Sequence, residues 1–204
     1  MPNPRHSSES IEHFTPPEII EAARQVLGVI DLDPASSKLA NDRLVHAKTF
    51  YDLSVNGFVL PWKGRVFLNP PGGLCTAEGI PIPKEERKRG KSSMKLWWDR
   101  LAREWMRGTV SSAVFVGFSV ELLQSAQAFA VHPLCFPMCV PAQRLRFITL
   151  EDGWLKPGKQ PTHANFVAFL PDRDDTVRQV AAFMRLFVSF GWAGPGYGMP
   201  MRNV

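Results

Sequence analysis

A chain of 204 residues, 45% hydrophobic and 21% charged, has the size and composition of one soluble globular domain. No uninterrupted apolar run approaches the roughly 18–20 residues that a membrane-spanning helix needs. The opening stretch MPNPRHSSESIEHF also lacks the basic-then-apolar form of a secretory signal, so a cytoplasmic protein is expected. The net charge of +5 is carried locally: nine basic residues fall between Lys84 and Arg107 against four acids, an excess as large as that of the whole chain. A concentrated excess points to a polyanion more than a dispersed one does; the alternative is a solvated loop and helix face.

In chain order, residues 1–13 read as a loose arm. Thr15 then serves as an N-cap, Pro16 as the first helical residue and Glu18 as the partner in a capping box. Ile19, Ile20, Ala23 and Leu27 follow at helical spacing, and Gly28 ends the helix. Val29 to Leu32 reads as a short strand entering the turn-prone Asp33-Pro34-Ala35-Ser36-Ser37. A further short strand is expected within Leu44–Phe50. Arg65 to Leu68 is an apolar strand that must stop at Asn69-Pro70-Pro71-Gly72-Gly73, because two prolines cannot continue it.

Residues 74–92, rich in Gly, Pro, Lys and Arg, read as an extended mobile loop. Ser93 to Arg107 reads as a helix with Trp97, Leu101 and Trp105 on one face. Strands are expected at Ser112–Gly117 and Leu134–Val140, with a helix at Val120–Ala130 between them. Leu145–Ile148 and Asn165–Leu170 read as the arms of a hairpin around a polar loop at 151–162. A last helix is expected at Asp174–Phe190 and an irregular tail from residue 191. Alternating helices and strands followed by late antiparallel strands predict an α/β fold in a single domain, with a mostly parallel, doubly wound sheet and an antiparallel edge.

Ligands of such sheets bind at the carboxyl ends of the strands. Two strand ends here carry unusual chemistry, Asp31-Leu32-Asp33-Pro34 and Asn69-Pro70-Pro71, and both are expected on one rim. The alternative for the two aspartates is a plain turn and cap. Asn69 offers an amide oxygen, and Pro70 a backbone carbonyl turned outward by the end of the strand. Two such acceptors suit an aromatic amine. They hold its hydrogens and draw the nitrogen toward tetrahedral geometry, so the lone pair is no longer spread into the ring. Against a strong electrophile, positioning then does most of the work.

The three cysteines, Cys75, Cys135 and Cys139, suit a reducing compartment. His132, Cys135 and Cys139 are close in sequence, but the surrounding LCFPMCV is apolar and no second ligand pair follows, so they read as buried cysteines and no metal is expected. No Pro-Cys pair offers the nucleophile used for ring-carbon methylation of cytosine. There is no serine in a nucleophile elbow and no P-loop.

The ordered blocks FTPPEII, IDLDPASS and WKGRVFLNPP resemble the phage-type, Dam-like DNA N6-adenine methyltransferases. Thr15-Pro16, Leu32-Asp33-Pro34 and Trp62 through Pro71 carry the likeness, and Arg144-Leu145-Arg146-Phe147 and Asn165-Phe166-Val167 look like that family's closing strands. The resemblance implies a Rossmann-like, S-adenosylmethionine-dependent methyltransferase acting on adenine N6 in double-stranded DNA. It implies that Phe14, Thr15 and Pro16 line the methionine end of the cofactor and that Asp31, Asp33, Pro34 and Ala35 stand near its ribose and amino-acid parts. Asn56, where the family has an acid before glycine, would lie beside the cofactor adenine, and Asn69, Pro70 and Pro71 would hold the target amine.

The chain departs from the family at Gly72, where an aromatic residue normally stacks on the flipped base; Trp97, Trp98 and Phe118 are the candidates to replace it. Arg87, Lys88, Arg89 and Lys91 in the basic loop, with Arg144 and Arg146 farther on, are the candidate DNA contacts, solvent exposure being the bland reading for the last two. Cytosine N4 methylation uses the same amine chemistry, and a DNA-binding protein without catalysis is the reading from a different class. The chain is too short for a separate recognition domain, so residues 74–92 and 149–162 are expected to supply selectivity.

Overall fold

The computed structural model describes residues 13–83, 90–125, 131–151, 153–158 and 162–198. In chain order its elements are α1 (Pro17–Leu27), β1 (Leu32–Asp33), α2 (Lys38–Ala40) running into a π-helical turn (Asn41–Val45), β2 (Thr49–Phe50), β3 (Gly64–Leu68), β4 (Leu74–Cys75), β5 (Lys91–Ser92), α3 (Ser93–Arg107), β6 (Val110–Gly117) and α4 (Glu121–Ser125). A 3-10 turn (Pro133–Cys135), β7 (Met138–Pro141), β8 (Ile148–Glu151), β9 (Trp154–Pro157), β10 (Phe166–Leu170), α5 (Thr176–Phe187) and β11 (Gly191–Gly194) complete the order.

Seven strands form one sheet in the order β11-β7-β10-β6-β3-β1-β2. The run β2-β1-β3-β6 is parallel throughout, and β10 and β11 lie antiparallel to their neighbours, so five of the seven strands point the same way. The architecture is mixed α/β with a mostly parallel sheet, compatible with a Rossmann-like fold. Its central strands are apolar because both faces are covered. Val66 and Leu68 of β3 pack with α3, Trp62 and Phe115 on one face. Phe67 points to the other face, where Ile19, Ile20, Phe183 and Phe187 bring in α1 and α5.

The tryptophans at 97, 98 and 105 are core residues. Trp98 and Trp105 donate their indole N–H to the Val131 and Pro171 carbonyls at 3.0 and 2.8 Å, which removes the cost of burying that polar tip. No helix among the described residues is long and apolar enough to cross a membrane. Cys75 and Cys139 are buried and Cys135 is half-buried, all as free thiols.

Four expectations are corrected. Thr15 is not the N-cap: α1 starts at Pro17, and Pro16 fills the cap position with no side-chain bond. The strand expected at Leu134–Val140 begins only at Met138, after Pro137, and the residues ahead of it form the 3-10 turn. Residues 145–148 and 165–170 are not the two arms of a hairpin. Instead β8 folds back on β9, with Leu150 opposite Leu155, while β10 enters the main sheet between β6 and β7. The turn that closes the true hairpin contains Gly153 at φ +80, a conformation glycine adopts without steric cost. Finally, the tail begins with an edge strand: Gly191–Gly194 pairs with Met138–Pro141. A Cβ at Gly191 would stand 2.4 Å from the Ala142 nitrogen, so only glycine permits this approach. Within the loop expected at 74–92, β4 and β5 form a short antiparallel ribbon.

Candidate active site

The chain leaves β1 to form β2 on one side of it, and then returns to form β3 on the other. The carboxyl ends of β1 and β3 therefore flank the point where strand order reverses, the crevice in which open α/β sheets bind their ligands. Asp33-Pro34-Ala35 leaves β1 on one side of it, and Asn69-Pro70-Pro71 leaves β3 on the other.

The segment before α1 closes this rim. Asn69 Nδ2 donates to the His13 carbonyl at 3.3 Å. Phe14 exchanges two 2.8 Å backbone hydrogen bonds with Ile148 at the root of the β8–β9 hairpin. Phe14, Thr15 and Asn69 are thus brought together although 54 or more positions separate Asn69 from the other two in the chain. A carbonyl can be met only by a donor, so the contact with His13 orients the Asn69 amide and leaves Oδ1 as an acceptor. Among the described residues no donor meets Asn69 Oδ1 or the Pro70 carbonyl. Thr15, 3% exposed, carries a buried Oγ1 that meets no partner among the described residues. An unsatisfied buried hydroxyl costs about 1–3 kcal/mol and is a natural place for a ligand atom.

Asp33 is also 3% exposed. Burial pushes its carboxyl up to about 7, against the opposing pull of the Ser36 hydroxyl and the Ala35 N–H, the latter at 3.2 Å. The loop after β2 packs directly on this turn. A Cβ at Gly57 would stand 2.1 Å from the Pro34 carbonyl, and the Tyr51 N–H donates to the Asp33 carbonyl at 3.0 Å.

Two expected cofactor residues stand elsewhere or are occupied. Asp31 is at the amino end of the strands, where it binds Lys48 Nζ at 2.8 Å and the Arg65 Nε and backbone N–H at 2.9 and 3.0 Å. Its partial burial would raise its carboxyl, but these bonds outweigh that effect and hold it at about 2. The expectation that Asp31 and Asp33 share a rim is therefore corrected. The acid before Leu32 sits beside the start of β3, and only the one after it reaches the crevice. Asn56 joins two loops, Nδ2 donating to the Glu78 carbonyl at 2.8 Å and Oδ1 accepting from the Phe58 N–H at 3.1 Å.

Asp52, just past β2, went unnoticed in the sequence. It follows Asp33 by 19 positions, near the roughly 20 at which an acid at the next strand end meets a ribose in dinucleotide-binding folds. Its Oδ1 accepts from the Ser54 N–H at 2.9 Å, which with the Ser54 hydroxyl lowers its pKa. The spacing was the available signal, masked by a strand of only two residues.

Of the candidate DNA contacts, Arg87, Lys88 and Arg89 lie outside the described residues. Lys91 is exposed on β5, and Arg144 and Arg146 are exposed on either side of buried Leu145. The helical part of the basic stretch is largely committed within the protein. Arg100 lies 4.7 Å over the Trp62 ring and donates to the Leu60 carbonyl at 2.7 Å, Arg103 binds Asp99, and Arg107 reaches Glu104 at 3.4 Å. The β8–β9 hairpin carries Trp154 beside its turn, 73% exposed, a residue the sequence did not single out. Comparison with protein-family models, with curated proteins and with solved structures finds no match.

Proposed function

We propose that this protein is a Rossmann-like, S-adenosylmethionine-dependent DNA methyltransferase that modifies an exocyclic amine, adenine N6. One observation carries the reading: at the reversal point of the sheet, Asn69 is oriented by the His13 carbonyl so that its amide oxygen and the Pro70 carbonyl are acceptors that no donor meets among the described residues.

The residues present fit the cofactor. Thr15 offers a buried hydroxyl with no partner among the described residues, and Asp33 and Asp52 put acids at the ends of two adjacent strands, where a cationic ligand with ribose hydroxyls finds acceptors. S-adenosylmethionine bound there supplies a methyl group on a sulfonium sulfur, electrophilic without further activation. The protein's part is then to hold the amine. Asn69 Oδ1 and the Pro70 carbonyl each accept one of its hydrogens and turn its lone pair out of conjugation. Pro70 is buried, which fixes the carbonyl that follows β3. Once the new N–C bond forms, the surplus proton passes to solvent, so no strong base is needed.

DNA as the substrate is supported by Arg144 and Arg146, exposed beside the strand that pairs with Phe14, by Lys91, and by Trp154 on the hairpin rooted at the same rim. Cytosine N4 offers an amine of the same kind. Gly72 favours a second reading, a DNA-binding protein on this fold without catalysis, because no aromatic stands at that position. Titration calorimetry with S-adenosylmethionine tests the proposal. Binding that persists in Asn69→Ala while methyl transfer is lost supports it, and no binding by the wild type refutes it.

A further inference from the structure

We propose that Phe118 provides the aromatic face on which the target base stacks, a role that Gly72 leaves open; the inference rests on the amine-methylation reading above. The strands β3 and β6 are parallel neighbours with Leu68 beside Phe115. β3 ends at Leu68 and β6 at Gly117, so Asn69 and Phe118 each begin the chain that leaves its strand at the carboxyl rim.

Several other aromatic groups are not placed for this task. Trp97, Trp98 and Trp105 lie in the core beneath the sheet, and Phe14 and Phe147 are buried. Tyr51 is at the end of β2, its hydroxyl bonded to the Pro61 carbonyl at 2.9 Å. Phe118 is half-buried and packs at the seam between the two core clusters, so its ring is supported by the core without being enclosed in it. Its backbone is pinned. Asn165, 2% exposed, donates from Nδ2 to the Phe118 carbonyl at 3.3 Å and accepts the Leu145 N–H on Oδ1 at 2.8 Å. The same asparagine therefore ties the stacking residue to the 144–148 segment that borders Phe14.

Gly72 makes the idea testable. A Cβ there would meet no atom within 4 Å, so a side chain can start from this position without a clash at its first carbon. Stacking of a base on an aromatic ring is worth about 1–3 kcal/mol, or roughly ten- to hundredfold. The experiment compares the wild type, Phe118→Leu, Phe118→Tyr, Gly72→Tyr and the double variant Phe118→Leu/Gly72→Tyr. Methyl transfer to plasmid DNA gives kcat/KM. Quenching of a single-stranded oligothymidine bearing one 2-aminopurine, with binding followed by anisotropy, reports stacking without cofactor or recognition sequence.

Phe118→Leu is expected to lower kcat/KM about ten- to hundredfold and to leave 2-aminopurine bright in the bound state. Phe118→Tyr is expected to stay within about threefold of the wild type, Gly72→Tyr alone to change little, and the double variant to regain most of the loss. Phe118→Leu with unchanged kcat/KM and quenching overturns the proposal. So does a tenfold gain from Gly72→Tyr alone, an arm that does not depend on how well Phe118→Leu folds. A wild type that transfers no methyl group overturns the methyltransferase reading itself, and the stacking role with it.

Discussion

Asp31 and Asp33 are two positions apart, yet they belong to opposite ends of the sheet and to opposite chemical states. Asp31, at the amino end, is bonded by Lys48 and Arg65 and held at about 2. It borders a polar cavity of about 540 Å3 whose lining holds two further internal pairs, Asp175 with Arg178 and the Asp172 N–H with Gln179. Asp33, at the carboxyl end, is buried with no cation beside it among the described residues, and burial pushes its carboxyl up to about 7, at the end of the sheet where Asn69-Pro70 leaves β3. One end has its charges paired within the protein; at the other, a buried hydroxyl and two acceptors have no partner among the described residues.

The largest expected effect lies at the open end. Asn69→Ala should reduce methyl transfer by about a thousandfold or more, since loss of a group positioned for the transition state costs on the order of 10²–10³ and the second acceptor cannot hold the amine alone. Binding of S-adenosylmethionine, read by calorimetry, should hardly change. Next comes Asp33→Asn. The folded pKa of Asp33 is raised above the unfolded value of 3.8, so stability is undiminished below about pH 4, falls as pH rises toward 7 and is level beyond it. The amide should therefore stabilise the fold by a few kcal/mol at pH 8 and not at pH 4, as followed by denaturant unfolding at both. Equal effects at the two pH values would mean that the carboxyl is not desolvated as described.

Asp31→Ala should do the reverse, destabilising by about 1–2 kcal/mol near neutrality through the hydrogen bonds it strips from Arg65. Cofactor affinity should stay the same, and weakened binding would return Asp31 to the ligand site. Thr15→Val removes the orphan hydroxyl with little change of shape. It should raise stability by about 1 kcal/mol and weaken S-adenosylmethionine about tenfold, a trade that a purely structural threonine would not show. The smallest effect is expected at the surface. Arg146→Ala should weaken duplex binding and reduce the slope of log affinity against log salt by about 1, as for one phosphate contact.

The pieces of this contrast were legible in the sequence to different degrees. The helix Ser93–Arg107 emerges with its expected bounds because Trp97, Leu101 and Trp105 repeat at helical spacing and Gly108 follows with φ +80. Asn69-Pro70-Pro71 was legible because prolines end a strand wherever they stand. The distance between Asp31 and Asp33 was not. Side chains alternate along a strand, but which acid falls before the sheet's edge and which beyond it depends on the register of Leu32 with Val66, a tertiary fact. The β8–β9 hairpin was misassigned although Asp152-Gly153 is a hairpin signal, because Phe166–Leu170 is the more apolar run and drew the pairing. Nor does local pattern reveal that His13 and Phe14 link Asn69 to Ile148, since these contacts close only when the sheet is built.

The central claim is that the acceptors at Asn69 and Pro70 serve an amine of DNA. Its most direct test is mass spectrometry of nucleosides from DNA of cells that lack adenine methylation and express this protein or its Asn69→Ala variant. The account predicts N6-methyladenine with the wild-type protein and none with the variant. DNA free of any methylated amine despite stable wild-type protein would contradict it.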